Sequence, residues 1–280
     1  MADQAVAQRR RRKDVIANCK TYVTRVARTQ LLTPRMARIT LAGGDLGRFQ
    51  SAGPDQFVYV LLPPIGRTQL TIDSSFTWDG YRAMPEAERP VGAYYTVRRH
   101  RPELGELDLD FVLHGDEGVG SAWAARAKPG DEVAIWGPRI AFEPPSDTTW
   151  RLLVADETGL PALGSICESL PAGAKVRAIV EVTDEYDELP FEPAANVDVR
   201  WIHRGSAGVG TTDLLVDAVR ELAFPAGEQV YAWGGGEIRA MNEIRHHLRK
   251  ERGLSKDQVS VLAYWRHTNH AEDESDVSEA

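Results

Sequence analysis

Residues 150–182 read WRLLVADETGLPALGSICESLPAGAKVRAIVEV, a continuous apolar run, a polar turn, a helical stretch and a second apolar run. Strands that carry apolar residues on both faces belong in a parallel sheet covered on both sides, and a helix between two of them is the crossover that such a sheet requires. The pattern repeats downstream. VDVRWIH, EQVYAW and VSVLAYW have the same character, and GTTDLLVDAVRELA and GEIRAMNEIRHHLRKERG are helical. The last of these helices carries a basic final turn and then Gly253, which suits a helix end. The second half of the chain is therefore read as an open, doubly wound α/β domain.

Upstream the rhythm differs. From Lys20 to about Ala141 the chain alternates short β-rich runs with Gly- or Pro-marked turns: TYVTRVARTQLL, ARITLAG, QFVYVLLP, YYTVRRH, LDLDFVLHG and EVAIWGP. Strands at this spacing predict an antiparallel barrel or sandwich. The stretch from Pro63 to Pro90 lacks strand periodicity; Trp78, Tyr81 and Pro85 within it suit an ordered excursion, but it is read as a surface loop. With 280 residues and roughly 150 per domain, the expected organisation is a basic, flexible N-terminus over 1–18, a β-barrel domain over 19–145, an α/β domain over 146–268 and an acidic, disordered tail over 269–280. The hinge is expected near Phe142 to Thr149.

Composition narrows the function. The formal charge is −8, which disfavours a general nucleic-acid binder. Charge segregates only at the ends, in Arg9–Lys13 (RRRRK) and in AEDESDVSEA from Ala271. The segment behind the arginines is too polar for an export signal, and no run approaches the roughly 18 apolar residues of a membrane span, so a cytoplasmic protein is expected. Cys19 and Cys167 are the only cysteines, far apart, which leaves no thiolate set for an iron–sulfur cluster or a zinc pair. Electron transfer, if that is the activity, has to run on an organic cofactor or a partner's centre.

In an open parallel sheet, ligands gather at the carboxyl ends of the strands. Three such ends are notable. Asp156, Glu157 and Thr158 can cap the helix that Pro161 opens, and they can also face a nucleotide. Trp233 precedes Gly234–Gly236, where three glycines before a helix read as a wall against which a ligand's backbone contact is close, with Glu237 at the helix N-terminus. The spacing is not GxGxxG. Tyr264, Trp265 and Arg266 leave the last strand and suit either a lid on the core or a flat cofactor and an anion. In the first half, Tyr95, Thr96 and Arg98 lie on one strand. HGDEGVGSAW then sets His114 and a glycine-rich turn before a helix, an arrangement that can cradle a pyrophosphate.

The order of these motifs (YTxR, HGxxGxxSxW, GD-V-I-GP, DET-LPA, W-GGE and a terminal YWR), with TPRMARITLAGGDL near the start, resembles the siderophore-interacting protein family of flavin-dependent ferric-siderophore reductases, relatives of ferredoxin–NADP reductases. The resemblance runs from about Cys19 to His267. It implies a Greek-key barrel that binds FAD, followed by a nucleotide-binding domain, and an FAD-dependent NAD(P)H:ferric-siderophore oxidoreductase. It places the flavin on Tyr95, Thr96, Val97 and Arg98, and on His114, Gly115, Gly120, Ser121 and Ala122. Ala93 stands where the family's flavin motif has its first arginine, and Val119 where a proline is common. NADPH or NADH would lie against Asp156, Glu157, Thr158, Trp233, Gly235, Gly236 and Glu237, and Arg204 would either read a 2′-phosphate or be a surface arginine. A ferric siderophore, often anionic, would meet Arg266, His267, Arg99, His100 and Arg101. Iron would pass through as substrate without protein ligands, and no side chain would act as acid or base. Hydride brings two electrons and Fe(III) takes one, so a flavin suits the position between them. The alternatives are a reductase using or serving a ferredoxin-type partner, and a non-enzymatic flavin- or siderophore-binding protein.

Overall fold

A computed structural model describes residues 18–115 and 118–267. The basic run Arg9–Lys13 and the acidic tail lie outside the described residues, as do Asp116 and Glu117. The chain divides into two compact units between Ile140 and Ala141.

The first unit is a closed six-stranded antiparallel barrel. Its strands are β1 (Lys20–Thr33), β2 (Met36–Ala42), β3 (Phe57–Leu62), β4 (Val91–Arg101), β5 (Glu106–Val112) and β6 (Glu132–Arg139), in the order β1-β2-β5-β4-β3-β6. β3, β4 and β5 are successive neighbours and β6 returns beside β3, which makes a Greek key. Alternation does the sorting: Val58 and Val60, Ile39 and Leu41, Leu107 and Leu109, and Val133 and Ile135 are all fully buried and fill the barrel. The outward positions of β2, β4 and β5 carry an ion ladder. Arg101 donates to both oxygens of Asp108 at 2.6 Å, Arg38 grips Asp110 at 2.7 and 2.8 Å, and Thr40 donates to Asp108 at 2.7 Å.

The stretch from Pro63 to Pro90 lies at the surface, as expected, and is ordered. It contains a short helix, α1 (Trp78–Ala83), whose N-cap Thr77 accepts from the Gly80 N–H at 3.0 Å. Trp78 stacks edge-on against Tyr59 at 5.1 Å, Phe76 at 5.3 Å and Trp136 at 5.6 Å, which pins the segment to the outside of β3 and β6. Tyr59 and Trp136 are distant in sequence, so no local periodicity announces them. A further helix, α2 (Val119–Ala124), follows β5.

The second unit is a five-stranded parallel sheet: β7 (Trp150–Ala155), β8 (Lys175–Val182), β9 (Asn196–His203), β10 (Val230–Glu237) and β11 (Val259–Trp265), in the order β11-β10-β7-β8-β9. Helix α3 (Leu160–Ser169) covers one face over Leu153, Ala155 and Val180. Helices α4 (Leu214–Glu221) and α5 (Ile238–His246) cover the other, over Leu152, Val154 and Ile179. The doubly wound reading is thus observed, with the reversal of strand order between β7 and β10. The last helix is not a single α-helix to its end. After His246 it passes into a π-turn, His247–Glu251, and Gly253 beyond it takes a φ of +75°. Cys167 is a fully buried residue of α3. Among the described residues no helix is long and apolar enough to cross a membrane.

Candidate functional site

The barrel's candidate segment spans β4 and the turn before α2. Tyr95 pairs across the sheet with Val58, and its ring lies 4.0 Å from Phe111, tilted, at the barrel's core. Burial pushes its phenol up to about 12, so at neutral pH the hydroxyl is a donor. That hydroxyl lies against Gly120, where a Cβ would come within 1.9 Å of it. Gly120 is therefore required by close approach, and the YTxR strand and the glycine-rich turn are in contact. Ser121 ties the turn together: it accepts from the His114 N–H and donates to the Gly115 carbonyl, both at 2.9 Å. Gly115 and Gly118 take φ of +83° and +86°, and no side chain caps α2. The first N–H groups of such a helix have no intrahelical acceptor, so they remain donors for a phosphate. Thr96 is buried, Val97 belongs to the barrel core and Arg98 is half-buried. The donors, the aromatic ring and the uncapped turn fit an FAD. Ala93 pairs with Val60 and supplies no charge.

The strand ends of the second unit are organised differently from the expectation. Asp156 is buried and accepts four hydrogen bonds: from Thr158 N at 2.8 Å, Thr158 Oγ1 at 2.6 Å, Glu237 N at 2.9 Å and Trp265 Nε1 at 2.8 Å. It ties the ends of β7, β10 and β11 to one another. Glu237 is the N-cap of α5, accepting from Arg239 N at 2.6 Å and Ala240 N at 3.2 Å. Trp233 is wholly inside the core. Two of the three glycines are required from within: a Cβ on Gly235 would stand 2.8 Å from the Tyr264 ring, and one on Gly236 would stand 2.8 Å from Asp156 Oδ2.

Arg204 is not a surface arginine. Its side chain is 3% exposed, ion-paired with Glu157, 3.9 Å from Glu181 and donating to Thr183 Oγ1 at 2.7 Å. Burial pushes the Glu157 and Glu181 carboxyls above the usual carboxylate range, against the pull of Arg204. Glu181, a partner that sequence reasoning passed over, also accepts from Thr212 Oγ1 at 3.0 Å. Nothing local marks it, because the contact is made across strands.

The five cations expected at the siderophore divide. Arg101 is spent on Asp108 and on Glu106. His100 shares a hydrogen bond with Ser51 at 2.8 Å and packs edge-on to Phe49, and burial lowers its pKa, which favours the neutral ring. Arg99 is exposed on the barrel unit; Arg266 and His267 are half-buried on the other unit, where the His267 N–H reaches Glu237 Oε1 at 3.3 Å. Sequence reasoning missed Arg139. Its guanidinium lies over the rings of Phe57 at 5.3 Å and Tyr94 at 5.6 Å, and Tyr94 is 47% exposed. Among the described residues no cluster of three His, Cys, Asp or Glu could hold a metal ion.

Comparison with known proteins follows this division. A family model described as "Siderophore-interacting FAD-binding domain" matches residues 25–142, and one described as "Siderophore-interacting protein" matches residues 148–268. The crystal structure of a siderophore utilization protein from T. fusca is 34% identical, covers 89% of this chain and 94% of its own, and superposes with a TM-score of 0.78. The ferric vibriobactin reductase of Vibrio cholerae is 28% identical over 88% of this chain and 89% of its own. The NADPH-dependent ferric-chelate reductase of Escherichia coli is 28% identical over 86% of this chain and 91% of its own.

Proposed function

Because the chain belongs to the siderophore-interacting protein family, we propose that it is a flavoenzyme reducing ferric siderophores, with electrons drawn from NADPH or NADH, so that iron leaves as Fe(II). The observation that carries the reading is the contact between Tyr95 and Gly120, which brings the flavin-type strand and the uncapped glycine turn into one place.

FAD would supply the conversion of a two-electron donor into one-electron steps. The chain's own residues bind and orient. The turn's N–H groups and Arg98 would hold the pyrophosphate, Tyr95 would pack on the ring system with its hydroxyl protonated, and Thr96 would hydrogen-bond its polar edge. On the barrel unit the guanidinium of Arg139 lies over the exposed Tyr94 ring, and an anionic chelate would meet Arg139 there. No acid or base is assigned, because Fe(III) reduction needs no proton at the metal.

A second reading replaces the nicotinamide donor by a ferredoxin-type partner. It is favoured by one feature: the strand-end residues assigned to the nucleotide are bonded to one another, and Arg204 is already neutralised by Glu157.

An anaerobic absorbance titration tests both. A bound flavin should bleach with NADPH or NADH and recover when a ferric siderophore is added. Bleaching by reduced ferredoxin alone would select the second reading. Failure to retain FAD at all would refute both.

A further inference from the structure

A cavity of about 340 Å³ opens in the barrel unit between the start of β1, the short turn that carries Arg48, and the loop leading to α1. Its lining includes Lys20, Tyr22, Arg48, Ser74 and Thr77. Three features make it more than a surface dent.

The wall is held by its own bonds. Thr21 Oγ1 donates to the Phe76 carbonyl at 3.3 Å, Ser75 is tied to Asp73, and Thr77 caps α1. The polar groups left over are donors. Tyr22 is 4% exposed, with its ring packed edge-on against Phe49 at 5.3 Å, and it lines the cavity. Lys20 forms no ion pair with another described residue. Arg48 pairs with Asp45 through one nitrogen, and a guanidinium carries five N–H donors, so several remain. The nearby acids are already engaged: Asp45 holds Arg48 and the Val23 N–H, and Asp73 holds Ser75. Two cations, a phenol and a serine hydroxyl thus line the same volume, and the nearby carboxylates are turned to partners of their own. The ligand whose charge and acceptors complement such a lining is an oxyanion.

The site is also separate from the flavin segment. In the closed order β1-β2-β5-β4-β3-β6, β1 is three strands from β4 in either direction, the largest separation the barrel allows.

We propose that this cavity binds a small oxyanion, the phosphate or carboxylate group of a metabolite, through Arg48, Lys20, Tyr22 and Ser74. This does not depend on the flavin reading.

The test is isothermal titration of the full-length protein with inorganic phosphate and, separately, with succinate, in the absence and in the presence of saturating FAD. Saturable binding with a Kd of about 1 mM or tighter is expected for at least one probe, and which one responds distinguishes the two sources. Arg48→Gln should weaken it about tenfold and Tyr22→Phe about threefold, with circular dichroism unchanged; both reflect the loss of single donors. Lys20→Gln, on an exposed side chain, provides a variant that does not touch the core. The proposal is overturned if neither probe saturates, or if Arg48→Gln and Lys20→Gln bind as the parent does. It is also overturned if FAD displaces the anion, which would assign the cavity to the flavin.

Discussion

Asp156→Asn changes one atom of the side chain and should unfold the α/β unit far more readily than its size suggests. The two carboxylate oxygens divide their work: Oδ1 accepts from the backbone and hydroxyl of Thr158, and Oδ2 from Glu237 N and Trp265 Nε1. An amide offers one oxygen. The Glu237 N–H is buried at the end of β10 and the Trp265 indole has a single donor, so the amide oxygen is best kept on that pair. The NH2 then faces Thr158, whose hydroxyl can turn to accept from it while the Thr158 N–H loses its acceptor. One stranded donor costs about 1–3 kcal/mol, which is the loss expected for Asp156→Asn. Asp156→Ala strands both pairs and should cost about 3–5 kcal/mol, while Thr158→Val, which removes one hydroxyl, should cost about 1 kcal/mol. Urea unfolding followed by far-ultraviolet circular dichroism and tryptophan fluorescence measures all three, with the transition of the α/β unit fitted separately from that of the barrel. If Asp156→Asn lies within about 0.5 kcal/mol of the parent, the clasp reasoning is wrong. A variant of unchanged stability whose KM for the nicotinamide rises would instead return Asp156 to the ligand.

Other outcomes follow from the same geometry. Gly120→Ala forces a Cβ to within 1.9 Å of the Tyr95 hydroxyl, so it should displace that ring and abolish FAD retention, read as loss of flavin absorbance after gel filtration. Tyr95 is raised from 10 to about 12, so its contribution to stability is complete below pH 10 and disappears as pH rises from 10 through 12. The difference titration at 295 nm between parent and Tyr95→Phe should show one phenol ionising near the upper end of that range; a midpoint near 10 would refute the buried setting. Arg101→Gln should lower barrel stability by about 1–3 kcal/mol without raising the KM for ferric siderophore, because the guanidinium is already held by Asp108. Arg139→Gln should do the reverse, raising KM with little change in the unfolding midpoint.

The alternating runs between Lys20 and Ala141 and the apolar runs after Trp150 determined the barrel and the parallel sheet by themselves, because inward and outward facing repeat with the strand's own period and are legible locally. The same holds for the glycine turn before α2, whose chemistry is that of a few adjacent residues. Family membership, too, was carried by short motifs in a fixed order. What only the tertiary structure decided is who meets whom. Trp78 stands beside Trp136, and Arg204 beside Glu157, through contacts that span dozens of residues. The segment around Trp78 therefore had no period to betray it, and Arg204 looked like any arginine after a strand. At the strand ends, three glycines and a conspicuous Asp-Glu-Thr suggested an open ligand face. Folding brings Tyr264, Trp265 and Glu237 onto them, and both oxygens of Asp156 are engaged within the domain. A sequence shows which groups can hydrogen-bond, but the fold alone determines which are already satisfied, since burial makes every unpaired group costly and drives it to the nearest partner.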